Sequence, residues 1–207
     1  MKTEIIACEQ GSPEWYAARL GIPTASMFKA IVASGKGGSD SKMRRTYLLN
    51  LAGELLTGEP AETYSNDHMA RGQAMEAQAR DTYAFTHDIE PEIVGFIKGT
   101  TKNGYVGASP DALVGTTGML EIKTTAPHLL IDLHEDGRFP ATHVAQCQGG
   151  MWLAKREWID LMIYWPKMPP FIHRLRRDEA YISALESAVR EFNDELAYTV
   201  GKMRRLG

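Results

Sequence analysis

The sequence lacks the features that mark membrane-spanning, secreted and disulfide-stabilised proteins. No uninterrupted apolar run reaches the roughly 18 residues that predict a membrane-spanning helix. Cysteine occurs only at Cys8 and Cys147, too few for a disulfide scaffold, and we expect both to be free thiols. The apolar run at residues 5–8 is too short for the core of a signal peptide. We therefore expect a cytoplasmic protein that makes no contact with membranes.

Common metal and nucleotide motifs are also missing. The six histidines show no ligand spacing such as His-x-x-x-His, so we interpret them as surface or packing residues. The glycine- and serine-rich stretch 34–41 contains Gly35-Lys36 but lacks the other glycine and the helix-opening context of a P-loop. This stretch therefore predicts a mobile loop and not a nucleotide site.

There is no excess of basic residues either. The chain has 23 Lys+Arg and 26 Asp+Glu, which gives a formal net charge of -3. A clearly basic domain is the usual electrostatic footprint of a nucleic-acid-binding protein, so the total charge disfavours that class. The length of 207 residues and the 43% hydrophobic content are sufficient for one domain with its own core, which we place at residues 1–207.

Helix and strand signals along the chain predict a mixed fold. Ser12 and Pro13 predict the start of a helix that ends before Gly21. Apolar spacing predicts further helices after Thr24 and at 41–57, 66–86, 142–155 and 178–203. Short β-rich runs predict strands at 93–97, 105–108, 119–124, 159–165 and 171–176. This order favours an α/β (α+β) domain with a mixed central sheet flanked by helices.

The segment around Asp111 and Glu121-Ile122-Lys123 is the most informative for chemistry. On a strand, Glu121 and Lys123 project to one face and Ile122 to the other. An antiparallel hairpin would bring the Asp111 carboxylate beside Glu121. Two carboxylates and an ammonium suit phosphodiester hydrolysis, because Mg²⁺ takes few carboxylate ligands plus phosphate oxygens and a lysine orients or deprotonates the attacking water.

This spacing has a second interpretation, an exposed hairpin with a cluster of charges. Charged residues make up about a quarter of an average chain, so an Asp…Glu-x-Lys pattern arises by chance in about one protein in three of this length. Ser109-Pro110 before Asp111 favours the site, because a rigid turn aims a carboxylate. Glu76, one helical turn after Gly72, is a further candidate carboxylate; the alternative is a small-residue packing position with Glu76 in solvent.

Several short motifs together resemble the phage lambda exonuclease (YqaJ-type viral recombinase) family, a branch of the restriction-endonuclease-like nucleases. They occur in family order over about residues 10 to 165. The motifs are Gln10-Gly11-Ser12-Pro13-Glu14-Trp15, Ala18-Arg19-Leu20-Gly21, Thr24-Ala25-Ser26, Arg71-Gly72 with Glu76, Ala108-Ser109-Pro110-Asp111, Leu120-Glu121-Ile122-Lys123, and Ala145-Gln146-Cys147-Gln148 with Met151-Trp152.

The resemblance implies a restriction-endonuclease-like core and a set of site residues. Asp111, Glu121 and the Ile122 carbonyl would hold Mg²⁺, for which Mn²⁺ could substitute. Glu76 would join the acidic cluster, and Lys123 would position or activate the water. A pocket for the 5′-terminal phosphate would be formed by Arg19, Ser26, Ser109 and Gln146, in keeping with the planar donor fork of arginine and the neutral donors of serine and glutamine.

The resemblance also implies an activity and partners. The expected activity is processive 5′-to-3′ digestion of double-stranded DNA ends, with release of mononucleotides and a 3′ overhang for recombination. A ring-shaped homotrimer, a phage single-strand annealing protein as partner, and a phage or prophage origin in bacterial cytoplasm are implied as well. Ala112 and Thr124-Thr125 depart from the lambda enzyme's pattern without removing a ligand.

The sequence allows two interpretations of a basic cluster and of several aromatic residues. Lys42, Arg44 and Arg45 are candidates for contact with the DNA backbone, although such clusters are usually solvated surface. Trp15, Tyr16 and Trp152 are interpreted as core residues, with support of the phosphate pocket as the alternative for the aromatic residues in the N-terminal part. The rival functions are an endonuclease on the same core and an inactive scaffold that binds DNA ends.

Overall fold

The computed structural model describes residues 1–33, 41–61 and 67–206, and only the backbone at 67–74. The loop predicted at 34–41 therefore lies outside the described residues except for Ser41, and so does the side chain of Arg71. Seven helices are formed by the described residues. They are α1 (Pro13–Arg19), α2 (Phe28–Val32), α3 (Lys42–Thr57), α4 (Asp67–His87), α5 (Pro127–Asp136), α6 (Val144–Ala154) and α7 (Glu179–Arg204).

Side-chain caps explain where three of these helices begin. Ser12 accepts a hydrogen bond from the Trp15 N–H at the start of α1, where Pro13 fits because its missing N–H has no helical partner. Ser41 and Asp178 cap α3 and α7 in the same way. Gly58 ends α3 in the left-handed conformation, which glycine adopts without strain.

The strands form two sheets. The first is antiparallel, in the order β1-β2-β3, with β1 (Lys2–Ile6), β2 (Phe96–Thr101) and β3 (Gly104–Ala108). The second is mixed, in the order β4-β5-β6-β7, with β4 (Ala112–Val114), β5 (Gly118–Thr124), β6 (Trp158–Tyr164) and β7 (Phe171–Arg176). Within it, β5 and β6 are parallel and the other pairs antiparallel. The prediction of a mixed sheet with helices around it is confirmed, with a second, antiparallel sheet added.

Three elements were not predicted. Strand β1 is an edge strand that is largely exposed, so it lacks the apolar alternation of a half-buried strand. Strand β4 is only three residues long. Helix α5 carries Pro127 in its first turn and ends at the left-handed Gly137, two residues that are typical of helix boundaries. The strand predicted at 93–97 begins at Phe96 instead, because Ile93 is exposed.

The long helix α7 packs one apolar stripe into the core. Leu185, Val189, Phe192, Leu196 and Val200 are all buried against residues of α2, α3 and α6. No helix in the described parts of the chain is long and apolar enough to cross a membrane. Both cysteines are free thiols, as expected.

Candidate active site

The antiparallel β4–β5 hairpin brings Asp111 and Glu121 together. Ala112 pairs with Leu120, so Asp111, the residue before β4, lies next to Glu121. The Asp111 Oδ2 atom accepts a hydrogen bond of 2.5 Å from the Ile122 N–H. Both carboxylates are buried, with exposed fractions of 9% for Asp111 and 4% for Glu121. The alternative of an exposed hairpin with a solvated charge cluster therefore does not describe these two carboxylates.

Glu121 is the acceptor for two neighbouring donors. Lys123 Nζ lies 2.6 Å from Glu121 Oε1, as expected for residues on the same face of a strand, and Ile122 points into the core. The Gln146 amide, in the first turn of α6, donates to the same oxygen. Strand β5 and helix α6 thus converge on one carboxylate.

Burial and like charges make the carboxylates of this cluster unusual. The pKa of Asp111 is raised well above its ordinary value, first by burial and then by the charges of Glu121 and Glu76. The pKa of Glu76 is also raised by burial, against the opposing charge of Arg80, with Glu121 adding to the rise. Burial alone would lower the pKa of Lys123, but the charges of Glu121 and Asp111 raise it.

Glu76 projects from α4 toward the same cluster. Its Oε1 atom pairs with Arg80 Nη2 at 2.7 Å, one helical turn further on. Its charge contributes to the raised pKa of Asp111, so the two carboxylates are electrostatic neighbours. Glu76 is half-buried, which differs from the solvated alternative considered for it.

A cavity of about 210 Å³ opens beside Asp111 and Glu121. The four residues expected to bind a terminal phosphate all line it, together with three of the residues expected to act in catalysis. These are Arg19, Ser26, Ser109 and Gln146, and Asp111, Glu121 and Lys123. The residues from these separate motifs thus share one concave surface, which is the usual form of a ligand site.

Helix α1 positions Arg19 at this cavity through Trp15. The Arg19 guanidinium stacks on the Trp15 ring, 3.9 Å from its centroid. The Trp15 indole N–H donates to Ser109 Oγ at 2.8 Å, and Arg19 Nη1 donates to the same oxygen at 3.4 Å. Burial lowers the pKa of Arg19 from its usual value, but a guanidinium stays charged in proteins. The cavity therefore contains a partly desolvated, oriented cation.

Two polar residues of the cavity wall were not among the predicted site residues. Gln10 donates hydrogen bonds to two backbone carbonyls at the cavity, although it lies within the first motif of the resemblance. Thr24 Oγ1 lies 3.2 Å from Ser26 Oγ, and the Thr24 N–H donates to the Tyr47 hydroxyl. Trp15 and Tyr16 are half-buried, so the prediction that they lie in the core is wrong; Trp15 lines the cavity, whereas Trp152 is buried as predicted.

The three candidates for DNA-backbone contact differ in their surroundings. Lys42 and Arg45 are exposed on α3. Arg44 is buried, with an exposed fraction of 7%, and donates two hydrogen bonds of 2.7 Å to the carboxylate of Glu195 on α7. Its guanidinium therefore links two helices and is not presented to a ligand.

The donors of the cluster fit a divalent cation with few protein ligands. Among the described residues, no three His, Cys, Asp or Glu side chains are arranged as a ready metal cage. Two buried carboxylates nevertheless match Mg²⁺, which keeps several waters and usually takes one or two carboxylates plus substrate phosphates. Burial and the charges of Glu121 and Glu76 raise the pKa of Asp111, and a bound cation would oppose this effect by favouring the charged carboxylate.

Comparison with known proteins gives matches among solved structures. LHK-Exo, an alkaline exonuclease from Laribacter hongkongensis, matches with a TM-score of 0.84 and 32% identity, over 94% of this chain and 97% of that one. LHK-Exo in complex with dAMP matches with the same TM-score and 33% identity, over the same shares. A phage-related exonuclease from Haemophilus somnus 129PT shares the fold, with a TM-score of 0.60 at 16% identity, over 86% of this chain and 96% of that one. No functionally curated sequence matches.

The sequence itself matches a family over most of its length. Residues 14–157 match the YqaJ-like viral recombinase domain, and this range contains Arg19, Glu76, Asp111, Glu121 and Lys123. The fold agrees with that of the lambda-exonuclease-like nucleases over nearly the whole chain. The chain therefore belongs to the YqaJ-like viral recombinase family, whose members include exonucleases of the lambda type.

Proposed function

We propose that this protein is a Mg²⁺-dependent exonuclease that digests double-stranded DNA from its ends in the 5′-to-3′ direction. It would release mononucleotides from the 5′-phosphorylated strand and leave a 3′ overhang. The observation that carries this proposal is the single cavity in which an oriented arginine lies close to a buried pair of carboxylates. A phosphate-binding group beside a hydrolytic group suits an enzyme that recognises a terminal phosphate and cleaves near it.

Different residues of the cavity would bind the terminal phosphate and carry out hydrolysis. Arg19, with Ser26, Ser109 and Gln146, would bind the 5′-terminal phosphate through charge-assisted hydrogen bonds. Lys123, held against Glu121, would position or activate the attacking water. Support for mononucleotide release comes from LHK-Exo, which was solved with dAMP, a nucleotide that carries a single phosphate.

Asp111, Glu121 and the Ile122 carbonyl would hold the metal ion, with Glu76 completing the acidic cluster. When bound, Mg²⁺ offsets the negative charge of the scissile phosphate and favours formation of hydroxide from water. Mn²⁺ is an alternative ion, because it accepts the same oxygen ligands. Arg80 pairs with Glu76 Oε1, just as Lys123 pairs with Glu121 Oε1, so each of these two carboxylates would bind the ion beside a cationic neighbour.

Processive digestion requires that the enzyme stay on its substrate. We propose a homotrimer that surrounds the DNA, with Lys42 and Arg45 on exposed faces of α3 as contacts to the backbone. Arg44 is left out of this set, because it is buried against Glu195. The family relationship further supports a role in phage-type recombination, with a single-strand annealing protein as partner and a phage or prophage in bacterial cytoplasm as origin.

The decisive experiment compares linear and covalently closed duplex DNA in Mg²⁺, with products resolved by size over time. We expect mononucleotides from linear DNA with a 5′-phosphate and no cutting of closed circles. Cutting of closed circles at the same rate would establish the alternative, an endonuclease on the same core. Digestion at an unchanged rate by Lys123→Ala and Asp111→Ala would refute the assignment of these residues to the hydrolytic site. No Mg²⁺-dependent digestion by the wild type would favour an inactive end-binding scaffold.

The Arg19→Ala variant tests the phosphate pocket separately. We expect its rate on 5′-phosphorylated ends to fall by about 10- to 100-fold, the equivalent of a lost charged hydrogen bond, while its low rate on 5′-hydroxyl ends changes little. Steady-state digestion of two duplexes that differ only in the terminal phosphate measures this. An equal loss on both substrates would show that Arg19 acts only in the structure of α1.

A further inference from the structure

Gln10 lies in the turn before α1 and joins two distant parts of the chain. Its Nε2 atom donates to the carbonyl oxygens of Val94 and Pro110, both at 2.9 Å. Val94 leads into the first sheet at β2, and Pro110 leads into the second sheet at β4. One side-chain amide therefore connects the entries to the two sheets at the wall of the candidate active site.

The carbonyl of Pro110 directly precedes the Asp111 residue. Proline has no N–H, so within this turn its carbonyl is the only backbone hydrogen-bonding group that Pro110 itself offers. Gln10 takes that carbonyl, while Trp15 and Arg19 bind the side chain of Ser109. Residues 10–19 thus hold the Ser109–Pro110–Asp111 turn from one side.

The other side of the turn is fixed by the sheet. Asp111 Oδ2 accepts the Ile122 N–H, so its carboxylate is held between strand β5 and the Gln10 contact. Among the described residues, Gln10 donates to the backbone oxygens of Val94 and Pro110 and makes no hydrogen bond to the carboxylates of Asp111 or Glu121. Its influence on the carboxylate must therefore pass through the backbone of the turn.

We propose that Gln10 is a positioning residue for the hydrolytic site, which fixes the Pro110 carbonyl and thereby aims the Asp111 carboxylate toward Glu121. The inference rests on the proposed function, because it assigns Gln10 a task in the same reaction. Residues that orient metal ligands from outside typically change metal affinity or activity by about 10- to 100-fold when replaced. A small displacement of a reacting group has an effect of similar size.

The test uses two variants of Gln10 and one matched control. Gln10→Glu keeps the shape but places a carboxylate against two carbonyls, and Gln10→Met removes the donor without adding charge. Gln148 is the control, because its buried amide donates to the Arg176 carbonyl at 2.9 Å and accepts the Asp178 N–H at 3.0 Å. It joins β7 to α7, and neither partner lines the candidate active site.

Two measurements separate positioning from a structural role. The first is the Mg²⁺ concentration that gives half of the thermal stabilisation by Mg²⁺, with no DNA present. The second is kcat and KM on linear duplex with and without a 5′-phosphate. For both Gln10 variants we expect the half-saturating Mg²⁺ to rise about tenfold and kcat to fall about 10- to 100-fold, with KM and the 5′-phosphate preference retained. Gln148→Glu should lower Tm but leave the half-saturating Mg²⁺ concentration unchanged.

The possible failures have separate meanings. A wild type without Mg²⁺-dependent digestion would refute the proposed function. An active wild type with half-saturation and kcat within about twofold in both Gln10 variants would overturn only the role of Gln10. The same shift in Gln148→Glu as in the Gln10 variants would also overturn it, because the effect would then be general destabilisation. If Gln10→Glu does not fold, the result with Gln10→Met decides.

Discussion

Replacing Asp111 with asparagine should stabilise the protein without metal while removing its response to metal. Asp111 is buried, and burial with the charges of Glu121 and Glu76 raises its pKa. Above that pKa, the folded state must hold a charge that the unfolded state holds more easily in water. Asparagine removes the charge and keeps a carbonyl oxygen that accepts the Ile122 N–H.

The magnitude follows from the link between pKa and stability. Each unit by which folding raises a carboxyl pKa costs about 1.4 kcal/mol at high pH. We expect Asp111→Asn to gain on the order of 1–2 kcal/mol, or roughly 2–8 °C in Tm for a chain of this size. The gain should be present at pH 8 and disappear on acidification below about pH 3.9, the unfolded value, where the wild-type carboxyl is protonated in both states.

A second buried aspartate provides the control with the opposite sign. Asp160, on β6, accepts two hydrogen bonds of 2.8 Å from Arg174 and one of 2.6 Å from the Tyr83 hydroxyl. Its charge is therefore paired, and Asp160→Asn should lose on the order of 1–3 kcal/mol. Two substitutions of the same kind, one directly before β4 and one on β6 of the same sheet, should thus change Tm in opposite directions.

The assay is thermal unfolding of the three proteins in EDTA and in Mg²⁺. A saturating metal at about 100 times its Kd stabilises the folded state by roughly 2.7 kcal/mol, and we expect this gain in wild type and Asp160→Asn but not in Asp111→Asn. An Asp111→Asn variant less stable than wild type in EDTA would refute the reasoning, because it would mean that the charge at Asp111 is already compensated. A full Mg²⁺ response in that variant would refute its assignment as a ligand.

Two further predictions concern the phosphate pocket and the α3–α7 contact. Trp15→Phe keeps a ring for Arg19 but removes the indole N–H from Ser109, so the preference for 5′-phosphorylated ends should fall about fivefold, as for a lost hydrogen bond of about 1 kcal/mol. Trp158→Phe is the control, because Trp158 likewise donates to a hydroxyl, that of Thr117, and stacks with Arg174 away from the pocket. An equal loss of 5′-phosphate preference in both variants would contradict the role of Trp15. The hydrogen bonds from Arg44 lower the pKa of Glu195 in the folded protein. The ionised Glu195 therefore stabilises the fold at pH values above its pKa in the unfolded chain, and this stabilisation is lost as the pH falls through its lower pKa in the folded protein. Glu195→Gln should therefore be less stable than wild type at pH 7 by up to about 1 kcal/mol, with a difference that closes in acid denaturation below about pH 4; a difference that persists at low pH would contradict this.

Elements and contacts that depend on a local pattern of residues could be predicted from the sequence. The alternation of Glu121, Ile122 and Lys123 on a strand, and the return of an antiparallel hairpin to Asp111, follow from the period of a strand and from turn residues. The caps at Ser12 and Gly58 and the stripe on α7 are signals of the same local kind.

Other features depend on contacts between residues that are far apart in the chain. Gln10 meets the Pro110 carbonyl, 100 positions away, and Trp15 meets Ser109, 94 positions away, so no spacing within the sequence predicts either role. Arg44 looks like its exposed neighbours Lys42 and Arg45, and only the approach of α7 with Glu195 distinguishes it. Strand β1 is stabilised by pairing with β2, which its own exposed side chains do not indicate.

The net charge of -3 has a different meaning once the charges are located. Asp111 and Glu121 are buried and Glu76 half-buried in one cluster, where a bound cation would offset them, and Asp160 is already paired with Arg174. The acidity of these groups is therefore not presented as a repulsive surface to a DNA backbone. A protein with few exposed basic contacts binds DNA weakly through phosphates, with a shallow dependence on salt. Under the proposed function, enclosure of the DNA by a ring, and not tight binding to its phosphates, would keep the enzyme on its substrate.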